Sequence, residues 1–271
     1  MPEGHVIHRL AADIESAFAG KKVQVSSPQG RFAHAAAKLN GSQVTSAEAW
    51  GKHLFVHFDA PHTEHIVHIH LGLIGTLRFT PTAAPTGQVR LRICTDSVAA
   101  DLRGPQWCRL LTPAEVDAAI AKLGADPLRI DADPSATWHT VQRSTRSIAS
   151  LLMDQKLFAG VGNIYRAETL FRLGINPFVP GRALDRAEFD AVWEDLVELM
   201  ADGVRTGRID TVRPEHTPER MGRPPRKDDH GGEVYVYRRE GQPCWQCGTE
   251  IAHKVLEGRN LFWCPTCQME A

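Results

Sequence analysis

The chain opens with apolar residues at helical spacing. Ile7, Leu10, Ile14 and Phe18 fall on one face and Gly20 supplies a stop, so an amphipathic helix is expected over residues 6–20. From residue 23 to 112 the period shortens to two. His53-Leu54-Phe55-Val56-His57-Phe58, Ile66-Val67-His68-Ile69-His70-Leu71 and Val89-Arg90-Leu91-Arg92-Ile93 alternate apolar with polar residues, as half-buried strands do, and Pro and Gly punctuate them. This stretch predicts a β-rich sandwich or barrel. Beyond it the pattern turns helical. Thr112-Pro113-Ala114-Glu115 reads as an N-cap, a proline at the first helical position and an acidic first turn. Further helices are expected over 135–140, 148–157, 163–173 and 186–204. Residues 211–232, rich in Pro, Arg, Asp and Gly, predict a functional loop of unusual length. Val234-Tyr235-Val236-Tyr237 is expected to begin a short hairpin region carrying cysteines.

Composition narrows this picture only in places. The 271 residues allow two modest domains, or one with an appendage, and no apolar run approaches the ~20 residues that cross a bilayer. The start lacks a signal-peptide pattern, which makes a cytoplasmic protein the expectation. A net charge of −1 does not announce a nucleic-acid partner, so any basic surface has to be local. Residues 139–182 lean that way, with Arg143, Arg146, Lys156, Arg166, Arg172 and Arg182 against Asp154 and Glu168, although a solvated helical face accounts for them equally. Cys94 and Cys108 stand alone and read as small buried apolar residues.

The other four cysteines carry chemistry. Cys244-x2-Cys247, sixteen residues, then Cys264-x2-Cys267 places two thiolates on each of two tight turns. Residues 251–255 and 260–263 can pair as a hairpin that joins the turns. Four thiolates close a tetrahedral Zn²⁺ site with no open position, so a single zinc ion is expected in a structural role, with redox pairs as the alternative. Arg259 sits in this hairpin, where its planar fork suits a phosphate as well as solvent. At the other end, Met1-Pro2-Glu3-Gly4 precedes the first helix. Loss of Met1 would leave a secondary amine on Pro2. An α-amino group titrates near ~7.7–8.0 and is lowered further at a helix N-terminus, so part of it is neutral and nucleophilic. Such an amine can form an iminium ion, with Glu3 beside it as acid or base; a capped helix start is the plainer reading.

Several motifs occur together in order: Pro2-Glu3-Gly4, Gly51-Lys52-His53-Leu54, His70-Leu71-Gly72-Leu73-Ile74-Gly75, Leu152-Met153-Asp154-Gln155, Gly160-Val161-Gly162-Asn163-Ile164-Tyr165, and Gly258-Arg259-Asn260 leading into Cys264-Pro265-Thr266-Cys267-Gln268. Over essentially its whole length the chain resembles the formamidopyrimidine-DNA glycosylase / endonuclease VIII family, and it is most similar to actinobacterial endonuclease VIII-type members. The resemblance implies an α+β protein. Its parts would be an N-terminal β-sandwich with an N-terminal helix (1–125), a helical helix–two-turns–helix domain (126–232) and a C-terminal zinc-finger hairpin (233–271), with damaged double-stranded DNA in the cleft between domains. It also implies a monomer without a membrane partner, acting as a bifunctional glycosylase and abasic-site lyase with no cofactor beyond Zn²⁺.

The resemblance assigns roles as well. Pro2 would attack C1′, Glu3 would assist ring opening and proton transfer, and Lys52 would be a charged helper. Gly162, Asn163 and Arg259 would hold phosphates. Leu73, with Ile74, would wedge into the gap left by an everted nucleotide. Residue by residue, Leu73 also fits strand core, Lys52 a surface lysine, and Gly160 and Gly162 plain turns. One departure touches lesion preference: an acidic residue common in the family is Val6 here, preceded by His5 where proline is common. Oxidised pyrimidines are the expected substrate, with oxidised purines, or a non-catalytic damage-binding zinc protein, as alternatives.

Overall fold

A computed structural model describes residues 2–227 and 232–269 of the chain, which divides into two compact units, Met1–Lys122 and Leu123–Ala271. In the first, helix α1 (Gly4–Phe18) buries Ile7, Leu10, Ala11, Ile14 and Phe18 along one face, and Gly20 (φ +75°) ends the run in a left-handed turn. It starts two residues before the periodicity begins, because Glu3 is already extended and the Glu3 carbonyl accepts the first helical bond from Val6 N–H at 3.0 Å.

Strand β1 (Gln24–Ser26) and the short helix α2 (Ala33–Leu39) lead into β2 (Gln43–Trp50), β3 (His53–Asp59), β4 (Ile66–His70), β5 (Thr76–Pro81), β6 (Val89–Cys94), β7 (Val98–Arg103) and β8 (Trp107–Leu111). They form two antiparallel sheets, in the orders β1-β6-β7-β5 and β2-β3-β4-β8. Val25, Leu91, Ile93 and Leu102 of one sheet share a core with Val44, Leu54, Val56, Val67 and Ile69 of the other and with the apolar face of α1. The β-rich stretch is therefore a sandwich, not a closed barrel. The outer face of the second sheet is covered too. Helix α3 (Pro113–Ile120) sets Val116 against Phe55 and Ile66. This is why Leu54, Phe55 and Val56 are buried in succession where simple alternation leads one to expect an exposed side. Helix α3 begins with the expected capping box: Thr112 Oγ1 accepts from Glu115 N–H at 3.3 Å, and Glu115 Oε2 accepts from Thr112 N–H at 2.8 Å. Cys94 is buried, and burial pushes the Cys108 thiol up to about 12, in keeping with inert packing residues.

The second unit carries α4 (Ser135–Val141), α5 (Ile148–Leu152), α6 (Asn163–Arg172), α7 (Arg186–Thr206) and the hairpin β9 (Ala252–Leu256)/β10 (Arg259–Trp263). Asp185 and Glu188 form a capping box on α7, and Gly207 (φ +75°) closes it. Helix α5 is shorter than the apolar run suggested, because the chain turns at Asp154, whose carbonyl accepts from Leu157 N–H at 2.9 Å. One core joins these helices to the hairpin: Leu151, Ile164, Phe171, Phe189 and Leu196 pack in the same cluster as Val234, Tyr235, Ile251, Leu261 and Phe262.

The segment Val234-Tyr235-Val236-Tyr237 is not a strand. It wraps around the side chain of Glu168, which is fully buried. Oε1 accepts from Val236 N–H (2.9 Å) and Tyr237 N–H (2.8 Å), while Oε2 accepts from Tyr235 N–H (2.7 Å) and the Thr211 hydroxyl (2.6 Å). Thr211 N–H in turn donates to Glu233 O at 2.8 Å. Both ends of the long loop are thus tied to one carboxylate on α6. Among the described residues no helix is long and apolar enough to cross a membrane.

Glu168→Ala strands three backbone N–H groups and a hydroxyl in the core. At roughly 1–3 kcal/mol for each buried donor left unmade, it is expected to lower stability by about 3 kcal/mol or more, read as a shifted urea midpoint. An unchanged midpoint would show that these bonds contribute nothing net.

Candidate active site and zinc centre

In the first unit the N-terminus leads straight into α1. Pro2 is half-buried and Glu3 fully buried. Glu3 occupies the N-cap position, and its side chain makes no capping hydrogen bond. His5, next to the departure from the family pattern, is buried and held neutral: burial, then nearby positive charge, pushes its pKa down to about 4. Met1 lies outside the described residues.

Lys52 stands at the tip of the β2–β3 hairpin. Trp50 pairs with His53, leaving Gly51-Lys52 as a two-residue loop, and Gly51 takes φ +57° at its first position, the conformation that favours glycine there. Beside Lys52 lies a stack of rings. His53 and His68 are parallel at 5.1 Å, and His70 stacks on Trp107 at 4.4 Å. His68 Nε2 lies 2.8 Å from His53 Nδ1 and 3.4 Å from the Trp107 indole nitrogen, which can only donate. His70 Nδ1 accepts from Gly72 N–H at 3.1 Å. Burial first, then neighbouring positive charge, lowers all three: His53 to about 4, His68 to about 3, and His70 in the same direction. Lys52 is one of the charges acting on His53 and His70. In the sequence these histidines are polar positions on strands, with His53 and His70 inside the quoted motifs, and nothing there reveals the stack.

Leu73 and Ile74 are 64% and 81% exposed, on the turn between β4 and β5. They are not strand core. Gly72 sits at φ +69°, and a Cβ on Gly75 would lie 2.2 Å from Leu71 O, so the turn requires glycine at both positions.

In the second unit Gly160 (φ +89°) and Gly162 form the loop before α6, with Gly162 as its N-cap. The loop is braced by Gln155, whose Nε2 donates to Val161 O (2.9 Å) while Oε1 accepts from Gly160 N–H (3.1 Å). Asn163 opens α6 and donates to Asn260 O at 2.8 Å, leaving the second amide hydrogen for another acceptor. Arg166 is buried and bridges Asn163 Oδ1 and Asn260 O. The structure thus brings Asn163 to the hairpin residue next to Arg259, which is exposed just past the Glu257-Gly258 turn. The basic lean over residues 139–182 proves partly internal: Arg166 is buried, and Arg172 pairs with Asp195 at 2.7 Å. Arg143, Arg146, Lys156 and Arg182 remain exposed.

The four C-terminal cysteines converge. Their sulfurs lie within 4.8 Å of one another, with Cys244–Cys267 at 3.8 Å and Cys247–Cys264 at 3.4 Å. A tetrahedron of thiolates about 2.3 Å from a central Zn²⁺ has edges of ~3.8 Å, so the donor set and its size fit that ion, while the contacts are far longer than a disulfide. N–H groups of Gln246 and Cys267 point at Cys244 and Cys264 sulfurs, each at 3.4 Å. Gln268 ties the centre to the helices, accepting from Cys264 N–H (2.9 Å) and donating to Ile175 O (2.9 Å).

Three family models match the chain: the formamidopyrimidine-DNA glycosylase N-terminal domain over residues 1–106, its H2TH domain over 123–214, and the zinc finger found in FPG and IleRS over 241–268. Endonuclease 8 1 of Mycobacterium tuberculosis is 51% identical, an alignment that covers 99% of this chain and all of the relative. The chain belongs to the formamidopyrimidine-DNA glycosylase / endonuclease VIII family. Probable endonuclease 8 2 of Streptomyces coelicolor is 31% identical over 99% of this chain and 94% of its own. The fold matches that of the Lactococcus lactis Fpg (MutM) in complex with N7-Benzyl-Fapy-dG containing DNA, with a TM-score of 0.80 at 21% identity over 99% of this chain and 100% of that one. The family's N-terminal sandwich, H2TH helices and zinc finger are therefore all present, and the four-cysteine centre is a structural zinc site.

Two outcomes follow from this geometry. Chelating zinc, or Cys264→Ser, is expected to unfold the hairpin and lower the thermal midpoint of the whole second unit, because Leu261 and Phe262 belong to its core; zinc content and circular dichroism read this. The histidine stack makes the first unit acid-sensitive. In the folded chain the rings titrate below their unfolded value of about 6.5, so between that pH and about 4 the unfolded state binds more protons. Stability is expected to be full above pH 6.5 and to fall as pH drops toward 4. A double His53→Gln/His68→Gln variant is expected to flatten this slope in urea titrations.

Proposed function

We propose that this glycosylase and abasic-site lyase excises oxidised bases, pyrimidines foremost, from duplex DNA through an iminium ion on Pro2. The observation that carries the reading is Glu3: a fully buried carboxylate next to the N-terminal amine that does not cap the helix it precedes. A carboxylate buried one residue from the amine is placed for proton transfer at the atoms that the amine attacks.

With Met1 removed, the neutral Pro2 nitrogen attacks C1′ of the damaged nucleotide. The C1′–N bond breaks and the base leaves with a proton. Glu3 relays protons as the sugar ring opens, and C1′ becomes an iminium carbon. The hydrogens on C2′ are then acidic. Loss of one drives elimination across C2′–C3′, the 3′ C–O bond breaks, and the strand is cut. Water finally releases the sugar from Pro2. Lys52, fixed on its two-residue turn, supplies positive charge to a phosphate or to the opening sugar. Leu73 and Ile74, already exposed, fill the space left by the everted nucleotide. Gly162, Asn163 and Arg259 hold phosphates, through backbone N–H groups at the start of α6, the second Asn163 amide hydrogen and the Arg259 fork. Zinc takes no part in these steps; it holds the hairpin that presents Arg259. The greater similarity to endonuclease 8 proteins favours pyrimidine lesions.

Borohydride added to the processed protein with a thymine-glycol or abasic duplex is expected to give a covalent protein–DNA band. That band should vanish when the N-terminal amine is blocked by retained Met1, as in Pro2→Gly with Met1 kept. Lys52→Ala is expected to slow base excision by about 10²-fold, the lower range for a positioned proton-transfer or charged group. No band on any lesion, with Met1 shown absent by mass spectrometry, would leave a damage-binding protein; strongest trapping on 8-oxoguanine would move the substrate to oxidised purines.

A further inference from the structure

His70 is the last residue of β4, and the turn that follows it bears the exposed Leu73 and Ile74. The imidazole folds forward onto that turn: Nδ1 accepts from Gly72 N–H at 3.1 Å. A backbone N–H can only donate, so in the neutral ring the proton lies on Nε2. Burial lowers the His70 pKa, which keeps Nδ1 unprotonated and able to accept at neutral pH.

The ring is itself fixed from behind. Strand β8 sets Trp107 opposite His70, and their rings stack at 4.4 Å. His53, the residue after Lys52, meets the His70 ring edge-on at 5.2 Å. Gln106 N–H donates to His70 O at 2.9 Å. The turn is held close to the same residue, since a Cβ on Gly72 would lie 2.9 Å from Gln106 Cβ. At its far end Gly75 N–H donates to Leu71 O at 3.1 Å. The turn is therefore closed by one bond of its own and one bond to the His70 side chain. Leu73 and Ile74 lie between these bonds with most of their surface in water, so they do little to fix the backbone that carries them.

We infer that His70 is a positioning residue: its imidazole fixes the Gly72 amide and, through it, the angle at which Leu73 and Ile74 enter the gap left by an everted nucleotide. This rests on the wedge role proposed above. A turn free to change shape has to be ordered on the DNA, and that ordering subtracts from the free energy available for holding the nucleotide out. A turn already held by His70 spares it. Because His70 also touches His53, the wedge turn and the Lys52 turn are braced by one wall of rings.

The test compares two substitutions in the full zinc-loaded chain. His70→Phe keeps an aromatic ring against Trp107 and removes the acceptor. His70→Asn gives up the ring and sets an amide oxygen near the Nδ1 position. Single-turnover rates are measured on a duplex carrying thymine glycol or, should it be excised faster, 8-oxoguanine. They are measured again on a single-stranded abasic oligonucleotide, which has no base to evert and no stack to fill. His70→Phe is expected to slow duplex excision by about 10-fold, the upper range for one lost hydrogen bond, and to change single-stranded cleavage much less. His70→Asn is expected to recover most of the duplex rate. In a Leu73→Ala/Ile74→Ala background His70→Phe is expected to add nothing further, because the group it positions is gone. Equal slowing on both substrates, a defect that Asn does not relieve, or one that persists without the apolar pair would place His70 on the DNA or in the general fold and overturn the inference. A wild-type rate for His70→Phe, with the double alanine variant slow, overturns it while leaving the wedge intact. A double alanine variant as fast as wild type on duplex sinks the wedge reading itself, and the positioning role falls with it.

Discussion

A carboxylate sealed from water stays charged only if its oxygens are matched by donors. Glu168 meets that condition with four, three from consecutive backbone N–H groups and one from Thr211. Because its partners come from both sides of the long loop and its own backbone belongs to α6, the match fixes three pieces of the second unit at once. The same helix begins at Asn163, which bonds the hairpin at Asn260, and the hairpin is closed by the four cysteines. Each of these attachments is short in distance and long in sequence, so the unit is assembled by a few polar anchors set in an apolar core, and removing any of them is felt by the rest.

In the first unit the corresponding device is the glycine turn. Lys52 and Leu73 sit on tight turns where Gly51 and Gly72 adopt positive φ. A side chain on such a turn has little backbone freedom to lose, which suits groups that must act at a defined place. Behind Lys52 the rings of His53, His68, His70 and Trp107 form a wall of neutral, polarisable groups instead of the apolar residues the strands would otherwise carry there.

Much of this was legible in the sequence, for identifiable reasons. Cysteine spacing specifies a zinc turn almost by itself, and the structure gathers Cys244, Cys247, Cys264 and Cys267 accordingly. Helix α7 announces itself through Asp185, Glu188 and Gly207, all local signals. The unread parts are non-local. Val234-Tyr235-Val236-Tyr237 has a strand's period, yet Glu168, sixty-seven residues before Tyr235, captures its N–H groups. Arg166 looked like part of a solvated basic face because nothing near it in sequence reveals Asn260 as its partner. The burial of Phe55 depends on α3, which arrives after five further strands of the same sandwich have been laid down. Roles for Pro2, Glu3, Lys52 and Arg259 came from resemblance, since a two-residue motif at a chain end carries too little information on its own.

The exposed Leu73 and Ile74 have a consequence for the chain away from its substrate. Apolar surface already in water needs no rearrangement before it meets a base step, so contact can be fast. The same readiness leaves an apolar tip through which two molecules at high concentration can adhere, in a chain whose near-zero net charge supplies little repulsion to keep them apart.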